Sequence, residues 1–288
     1  MLTGYKRLDQ QVEVLSENQL TLLAGRPGVG KTSLAINIIH NLLATEYTSK
    51  PGSTKILYIT PGMPAERLAE RFIFLDSGIS PYNLGFIDLS EEEVDEAIVN
   101  SSKKFQHLLN SDKLKIIDDN LMTIADISSL CYDYFSDYNL IFIDYLQAIK
   151  SSHGEEYASK KLLKIQLKEL KKIARKNDSA LVLISQLQNG IGPPALADLS
   201  PHAQIFKREV DKIVLLHRVD NPEGQREWEN YFDVNFNKIP EPAQLIIAQN
   251  QGGPGTSIDL FWQPTILSFQ ERSPELEQYI ADLLADIK

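Results

Sequence analysis

The segment Leu20–Thr32, LTLLAGRPGVGKT, constrains this chain more than any other. It is a short apolar run, then a glycine-rich turn, then the start of a helical pattern. Gly25-Arg26-Pro27-Gly28-Val29-Gly30-Lys31-Thr32 fits G-x-x-x-x-G-K-[ST] at every fixed position. With glycine at about 7% of residues, a chance match is on the order of one in a hundred for a chain of this length. The glycines let the backbone curl until successive N–H groups point inward at phosphate oxygens. Lys31 brings a point charge to the outer phosphates, the Thr32 hydroxyl ligates Mg²⁺, and the opening helix adds its positive dipole end. Gly25, Gly28, Gly30, Lys31, Thr32 and Ser33 are therefore the candidate residues for binding ATP with Mg²⁺.

Such a loop works only between a strand and a helix, and the rest of the chain supplies that context. Apolar runs suited to strands fall at Leu20–Ala24, Lys55–Thr60, Leu114–Asp118, Leu140–Asp144, Ala180–Ile184 and Lys212–Leu216. Helical patterns lie between them at Thr32–Leu43, Ala65–Leu75, Glu91–Leu109, Ile124–Phe135 and Ser159–Lys176. This alternation predicts an α/β fold with a mostly parallel sheet covered by helices on both faces. Ser90 with Glu93 predicts a capping box, and Ser273-Pro274 opens a last helix over Pro274–Ile287. Short β-rich runs at Leu245–Gln249, Ile258–Trp262 and Ile266–Phe269 predict an antiparallel extension of the sheet. Val219–Ala243 reads as a surface excursion. One domain over 1–288 is expected. The strand Leu140–Asp144 ends in a carboxylate, where enzymes with such loops hold Mg²⁺ through water, so Asp144 joins Thr32 as a candidate metal residue.

Net charge is −10, which argues against general nucleic-acid binding and leaves any polyanion contact to a local patch. The helix Ser159–Lys176 carries such a stripe: Lys161, Lys164, Lys168, Lys171, Lys172 and Arg175, with Leu163, Leu167, Leu170 and Ala174 opposite. The solvated face of a sheet-covering helix explains it better than a partner does. A lone cysteine, Cys131, excludes an internal disulfide and suits a core position. The five histidines lack metal-ligand spacing. Without a signal-like apolar segment at the start or a membrane-length apolar run, the expectation is a soluble, cytoplasmic protein.

The motifs together resemble the C-terminal motor domain of DnaB-type hexameric replicative helicases. Gly4-Tyr5 through Leu8-Asp9 is similar to the family's TGF-x-x-LD, and GRPGVGKTS to its ARPSMGKTT. Met63-Pro64-Ala65-Glu66 resembles MPAE, Ile117-Asp118-Asp119 resembles IDD, and Ile143–Gln147 reads IDYLQ. Ser185-Gln186-Leu187 matches SQL, and Gly253-Pro254 with Gly255-Thr256 resembles GP-x-GT. The resemblance implies a RecA-like core, ATP at subunit boundaries, a ring-like homo-oligomer and single-stranded DNA gripped by central loops. It also implies that Asp144 holds the water shell of Mg²⁺ and that Gln186 is a catalytic sensor of the γ-phosphate.

Three positions depart from that family. Its catalytic glutamate stands immediately before Met-Pro, where this chain has Gly62. Its late strand reads KQRNGP, with both cations reaching a neighbour's nucleotide, where this chain reads Gln249-Asn250-Gln251-Gly252-Gly253-Pro254. Its long arginine-rich loop after SQL is here Gln188–Leu199, QNGIGPPALADL, without a basic residue. A missing base removes about 10²–10⁴ in rate and a missing arginine finger about 10³–10⁵. The expectation is an ATP-binding, helicase-like replication protein with weakened or lost hydrolysis, acting as a ring or with an intact replicative helicase. The alternatives are an active helicase translocating on single-stranded DNA, and a non-motor loader or regulator of an intact helicase.

Overall fold

The computed structural model describes residues 1–48, 54–80, 89–150, 159–188, 190–218, 240–251 and 253–286. In chain order, the helices are α1 (Lys6–Gln11), α2 (Lys31–Thr48), α3 (Ala65–Ser77), α4 (Glu91–Asn110), α5 (Ile124–Asp133), α6 (Lys160–Lys176), α7 (Ala203–Glu209) and α8 (Pro274–Asp286). The strands are β1 (Leu20–Gly25), β2 (Ile56–Ile59), β3 (Leu114–Ile117), β4 (Leu140–Ile143), β5 (Ala180–Gln186), β6 (Lys212–Arg218), β7 (Glu241–Asn250), β8 (Thr256–Gln263) and β9 (Ser268–Glu271). They form one sheet in the order β3-β2-β4-β5-β1-β6-β7-β8-β9. Pairing is parallel from β3 to β6 and antiparallel from β6 to β9.

The two-residue period of the strands divides the core into two. Leu57, Ile59, Ile141, Ile143, Leu181 and Leu183 pack with residues of α5, α6 and α7. Ile56, Tyr58, Leu140, Phe142, Val182 and Ile184 pack with α2, α3 and α4 on the other face. Every residue of β1, β2 and β4 is buried, which is why these strands read as continuous apolar runs rather than alternating ones. Each fully buried large apolar side chain contributes about 1.5–3 kcal/mol. β7 and β8 instead alternate buried and part-exposed residues, as antiparallel strands with one well-covered face do.

The expected parallel core with an antiparallel extension is the observed architecture, and several boundaries move for physical reasons. β5 runs past the apolar residues to Gln186, because the ladder continues until Gln186 lies opposite Gly25. The last strand lies at Ser268–Glu271 rather than Ile266–Phe269, after a turn in which Leu267 takes φ 55°. Of the expected excursion Val219–Ala243, residues 219–239 lie outside the described residues. Glu241–Ala243 are strand, paired with Trp262–Leu260. α1 and α7 were not expected; at six and seven residues they are too short to establish a helical period.

Several motif residues do structural work. Ser90 and Glu93 form the expected capping box, and Thr123 with Asp126 forms another. Asp118 accepts the Ala65 N–H at 2.9 Å, capping α3, whose preceding residue Pro64 supplies no side-chain cap. Asp9 accepts from the Thr3 N–H and hydroxyl, both at 2.7 Å, and so locks the opening turn. The basic stripe of α6 is partly engaged within the chain. Lys171 pairs with Asp211 at 2.7 Å, Lys172 with Glu169 at 3.4 Å, and the Lys176 ammonium sits 3.9 Å from the centre of the Tyr132 ring.

Among the described residues, no helix is long and apolar enough to cross a membrane, and no cluster of three or more His, Cys, Asp or Glu side chains could hold a metal by itself. Cys131 is buried between α5 and α6, and that burial pushes its thiol up to about 12. It should remain unreactive toward an aromatic disulfide reagent at pH 8 and titrate as one thiol in denaturant. Rapid reaction in the native state would contradict this.

Candidate nucleotide-binding site

The candidate residues gather where the parallel strands end, the side of such a sheet on which helix N-termini and strand-end loops converge. After β1 the chain turns through Gly28 at φ 73° and Gly30 at φ 101°, backbone states that suit glycine. Gly30 is doubly constrained, since a Cβ there would lie 2.9 Å from Phe269 Cζ on β9. α2 then starts at Lys31, with Leu34 N–H donating to Gly30 O at 2.8 Å.

Lys31 folds back over this curl. Its Nζ donates to Gly25 O and Arg26 O, each at 2.9 Å. Burial lowers its pKa to about 8, against the pull of Asp144. Among the described residues this partly desolvated ammonium is held by two carbonyls, and a charge so placed beside a glycine-rich curl is suited to a polyphosphate.

Thr32 Oγ1 donates to Asp144 Oδ2 at 2.7 Å, and the Tyr58 hydroxyl donates to the same oxygen at 2.8 Å. Asp144 lies one residue beyond β4 and is 5% exposed. Burial raises its pKa, while the Thr32 and Tyr58 hydrogen bonds and the charges of Lys31 and Arg71 oppose that rise. Arg71 on α3 reaches Ser33, with Nη1 3.2 Å from Oγ. The donor set fits a hard cation carried in by phosphates: a hydroxyl oxygen and a carboxylate, with phosphate oxygens and water completing the shell. This matches the absence, among the described residues, of a metal site made by protein alone.

Gln186 ends β5 beside Gly25, with its side chain exposed. Its backbone is pinned by Gln147, whose Nε2 donates to Gln186 O at 3.1 Å and to Ser185 Oγ at 3.0 Å, while its Oε1 accepts the Gln186 N–H at 3.2 Å. Arg26, at a variable position of the loop, donates to Gly192 O at 2.6 Å and Ile191 O at 3.3 Å. The phosphate loop is thereby tied to the segment that follows Gln186. A cleft of about 230 Å³ opens beside it, lined in part by Arg26, Val29, His217 and Arg218. A surface depression of about 670 Å³ over Lys168–Lys176 of α6 lies near the opposite ends of the strands.

The two positions read as departures from the resembled pattern, Gly62 and Gln251, are each accommodated. Gly62 sits in the turn after β2, and a Cβ there would stand 2.6 Å from Tyr145 Cε1 and 3.1 Å from Cδ1. The edge of the Tyr145 ring takes the room that a side chain at 62 would need. Gln251 Nε2 donates to Val210 O at 3.3 Å, and Gln249 Nε2 donates to Val210 O and Lys207 O at 3.1 and 3.2 Å. Both glutamines satisfy carbonyls at the end of α7, which a helix leaves without internal partners. Their side chains are thus engaged within their own chain.

Sequence reasoning placed Lys31, Thr32, Asp144 and Gln186 around one loop, and they do surround it. It missed Tyr58, Arg71, Tyr145 and Gln147. The only signal for Tyr58 was a hydroxyl-bearing residue in an otherwise apolar strand.

The chain matches the DnaB-like helicase C-terminal domain over residues 1–271. It is 26% identical over 265 residues to the replicative DNA helicase DnaC of Bacillus subtilis, covering 90% of this chain and 53% of that protein. Among solved structures it is similar to one described as an ATPase domain, with a TM-score of 0.74 at 19% identity, covering 94% of this chain and 91% of the other. It is also similar to a DnaB-like replicative helicase described with its interactions with primase, with a TM-score of 0.73 at 19% identity, covering 94% and 63%. The chain spans about half the length of the curated relatives it matches.

Proposed function

Because the chain belongs to the family of DnaB-like helicase C-terminal domains, we propose that it binds Mg²⁺–ATP in DNA replication with hydrolysis weakened or lost. One observation carries this reading: Gly62 replaces the family's base, and the Tyr145 ring fills the adjoining space.

The proposal takes residues 1–288 as one motor-like domain, with Gly25, Gly28, Gly30, Lys31, Thr32 and Ser33 holding the nucleotide. Lys31 exchanges its two carbonyl partners for phosphate oxygens. Thr32 would offer an oxygen lone pair to the metal while its hydroxyl keeps donating to Asp144. Asp144 would hold metal-bound water, and Gln186, beside the loop, would sense the outermost phosphate. A bound nucleotide supplies a phosphoanhydride open to attack by water. No carboxylate stands at 62 to polarise that water, and no cation stands at 249 or 251 to cross to a neighbouring copy. ATP would then act as an assembly ligand, for a ring of this chain or a complex with an intact replicative helicase; single-stranded DNA is the less supported partner.

The measurement is ATP turnover with and without single-stranded DNA, combined with mass in ATP and in its absence. The expected result is a mass that responds to ATP, with turnover at least 10²-fold below that of an intact relative assayed alongside. Turnover at ordinary motor rates, stimulated by DNA, would favour the active-helicase reading, which the intact grouping of Lys31, Thr32, Asp144 and Gln186 supports.

A further inference from the structure

We propose that Tyr58 is a positioning residue for Asp144, its hydroxyl fixing the carboxylate so that the other oxygen faces a nucleotide-bound divalent cation. This rests on the reading of the loop as a Mg²⁺–nucleotide site.

The placement follows from register. Tyr58 on β2 pairs with Phe142 on β4, and Ile59 pairs with Ile143. Asp144 N–H then donates to Ile59 O at 2.8 Å, extending the ladder by one residue. Asp144 stands two residues beyond Phe142, and its carboxylate meets the hydroxyl of the tyrosine one strand over. The Tyr58 ring, 1% exposed, is stacked on Phe142 with centroids 5.7 Å apart and planes 23° apart. The phenol is therefore held by packing on one side and by a single 2.8 Å hydrogen bond at its tip. Facing a carboxylate oxygen, the phenol O–H is the donor of that bond.

Both donors, Thr32 and Tyr58, converge on Oδ2. Among the described residues no hydrogen bond reaches Oδ1. Thr32 has a second task, since its oxygen is needed by the metal. Tyr58 has none, and it keeps hold of Oδ2 whether or not the metal is present. Without it, a carboxylate this buried would be oriented by Thr32 alone while Lys31 and Arg71 attract it. Partners that orient a metal site's outer carboxylates typically contribute 10–100-fold to metal affinity.

The test is Tyr58→Phe, which keeps the ring stacked on Phe142 and deletes one oxygen. A fluorescent ATP analogue is titrated in EDTA and at increasing Mg²⁺. The expected result is unchanged affinity in EDTA, within twofold, and a Mg²⁺ half-saturation raised about 10-fold or more. Asp144→Asn should abolish most of the Mg²⁺ effect, and adding Tyr58→Phe to it should lower affinity no further. Equal Mg²⁺ dependence in wild type and Tyr58→Phe, or equal losses with and without Mg²⁺, would overturn the role of Tyr58. Wild type failing to bind the analogue under any condition would instead overturn the nucleotide reading beneath it.

Discussion

Gly62→Glu alone is expected to restore no hydrolysis and to cost about 1–3 kcal/mol of stability, the usual range for forcing extra atoms into occupied space. The new Cβ would stand 2.6 Å from Tyr145 Cε1, nearer than such atoms approach, so the ring or the turn must move. Tyr145 directly follows Asp144, and a displaced ring would disturb the carboxylate proposed to face the metal. The sequence alone makes Gly62→Glu a simple reinstatement of a lost base, worth about 10²–10⁴ in rate. The structure adds a steric condition. Gly62→Glu combined with Tyr145→Ala should be more stable than the two single losses added together, because the second change removes the clash created by the first. Thermal melts of the four proteins and their ATP turnover decide it. A single Gly62→Glu variant of wild-type stability that turns over ATP at motor rates would contradict the account of this turn.

Lys31→Ala is expected to lower affinity for Mg²⁺–ATP by roughly 10²-fold or more, since it deletes charge-assisted bonds of about 1.5–3 kcal/mol each to phosphate. The same lysine gives binding a pH dependence. In the free protein burial lowers its pKa to about 8, and bound phosphates raise it again, because they favour the charged form. Affinity should therefore be full below about pH 8 and fall as pH rises above it, with a proton taken up on binding. Calorimetry near pH 9 in two buffers of different ionisation enthalpy reads that proton directly. For stability of the free protein the direction reverses. The folded pKa lies below the unfolded value of about 10.4, so the penalty for burying the charge is full below about pH 8 and fades between there and about 10.4. Buffer-independent heats at pH 9, or tight binding by Lys31→Ala, would contradict this assignment.

The strands and the loop were legible because their signals are local. Continuous apolar runs of four to seven residues can be read without knowing their neighbours, and the glycines of the loop announce a backbone that other residues resist. The limits were local as well. α7 and α1 carry one buried apolar residue each, Phe206 and Leu8, so no period could emerge. β5 ends in Ser185 and Gln186, whose strand character lies in hydrogen bonds to β1 rather than in their side chains.

What the sequence determined by itself was chemistry at fixed spacing: a curled loop with Lys31 and Thr32, a carboxylate at the end of an apolar strand, and a glycine and two glutamines at the departures. What only the tertiary structure decided was what fills the space around them. Tyr58 meets Asp144 because β2 and β4 align in one register. Tyr145 lies against Gly62 because the segments after those two strands converge. Gln249 and Gln251 turn to Val210 because the end of α7 offers carbonyls that no other helical N–H can satisfy. Contacts between residues 39 to 86 positions apart depend on how the sheet is ordered, and no local pattern encodes that order.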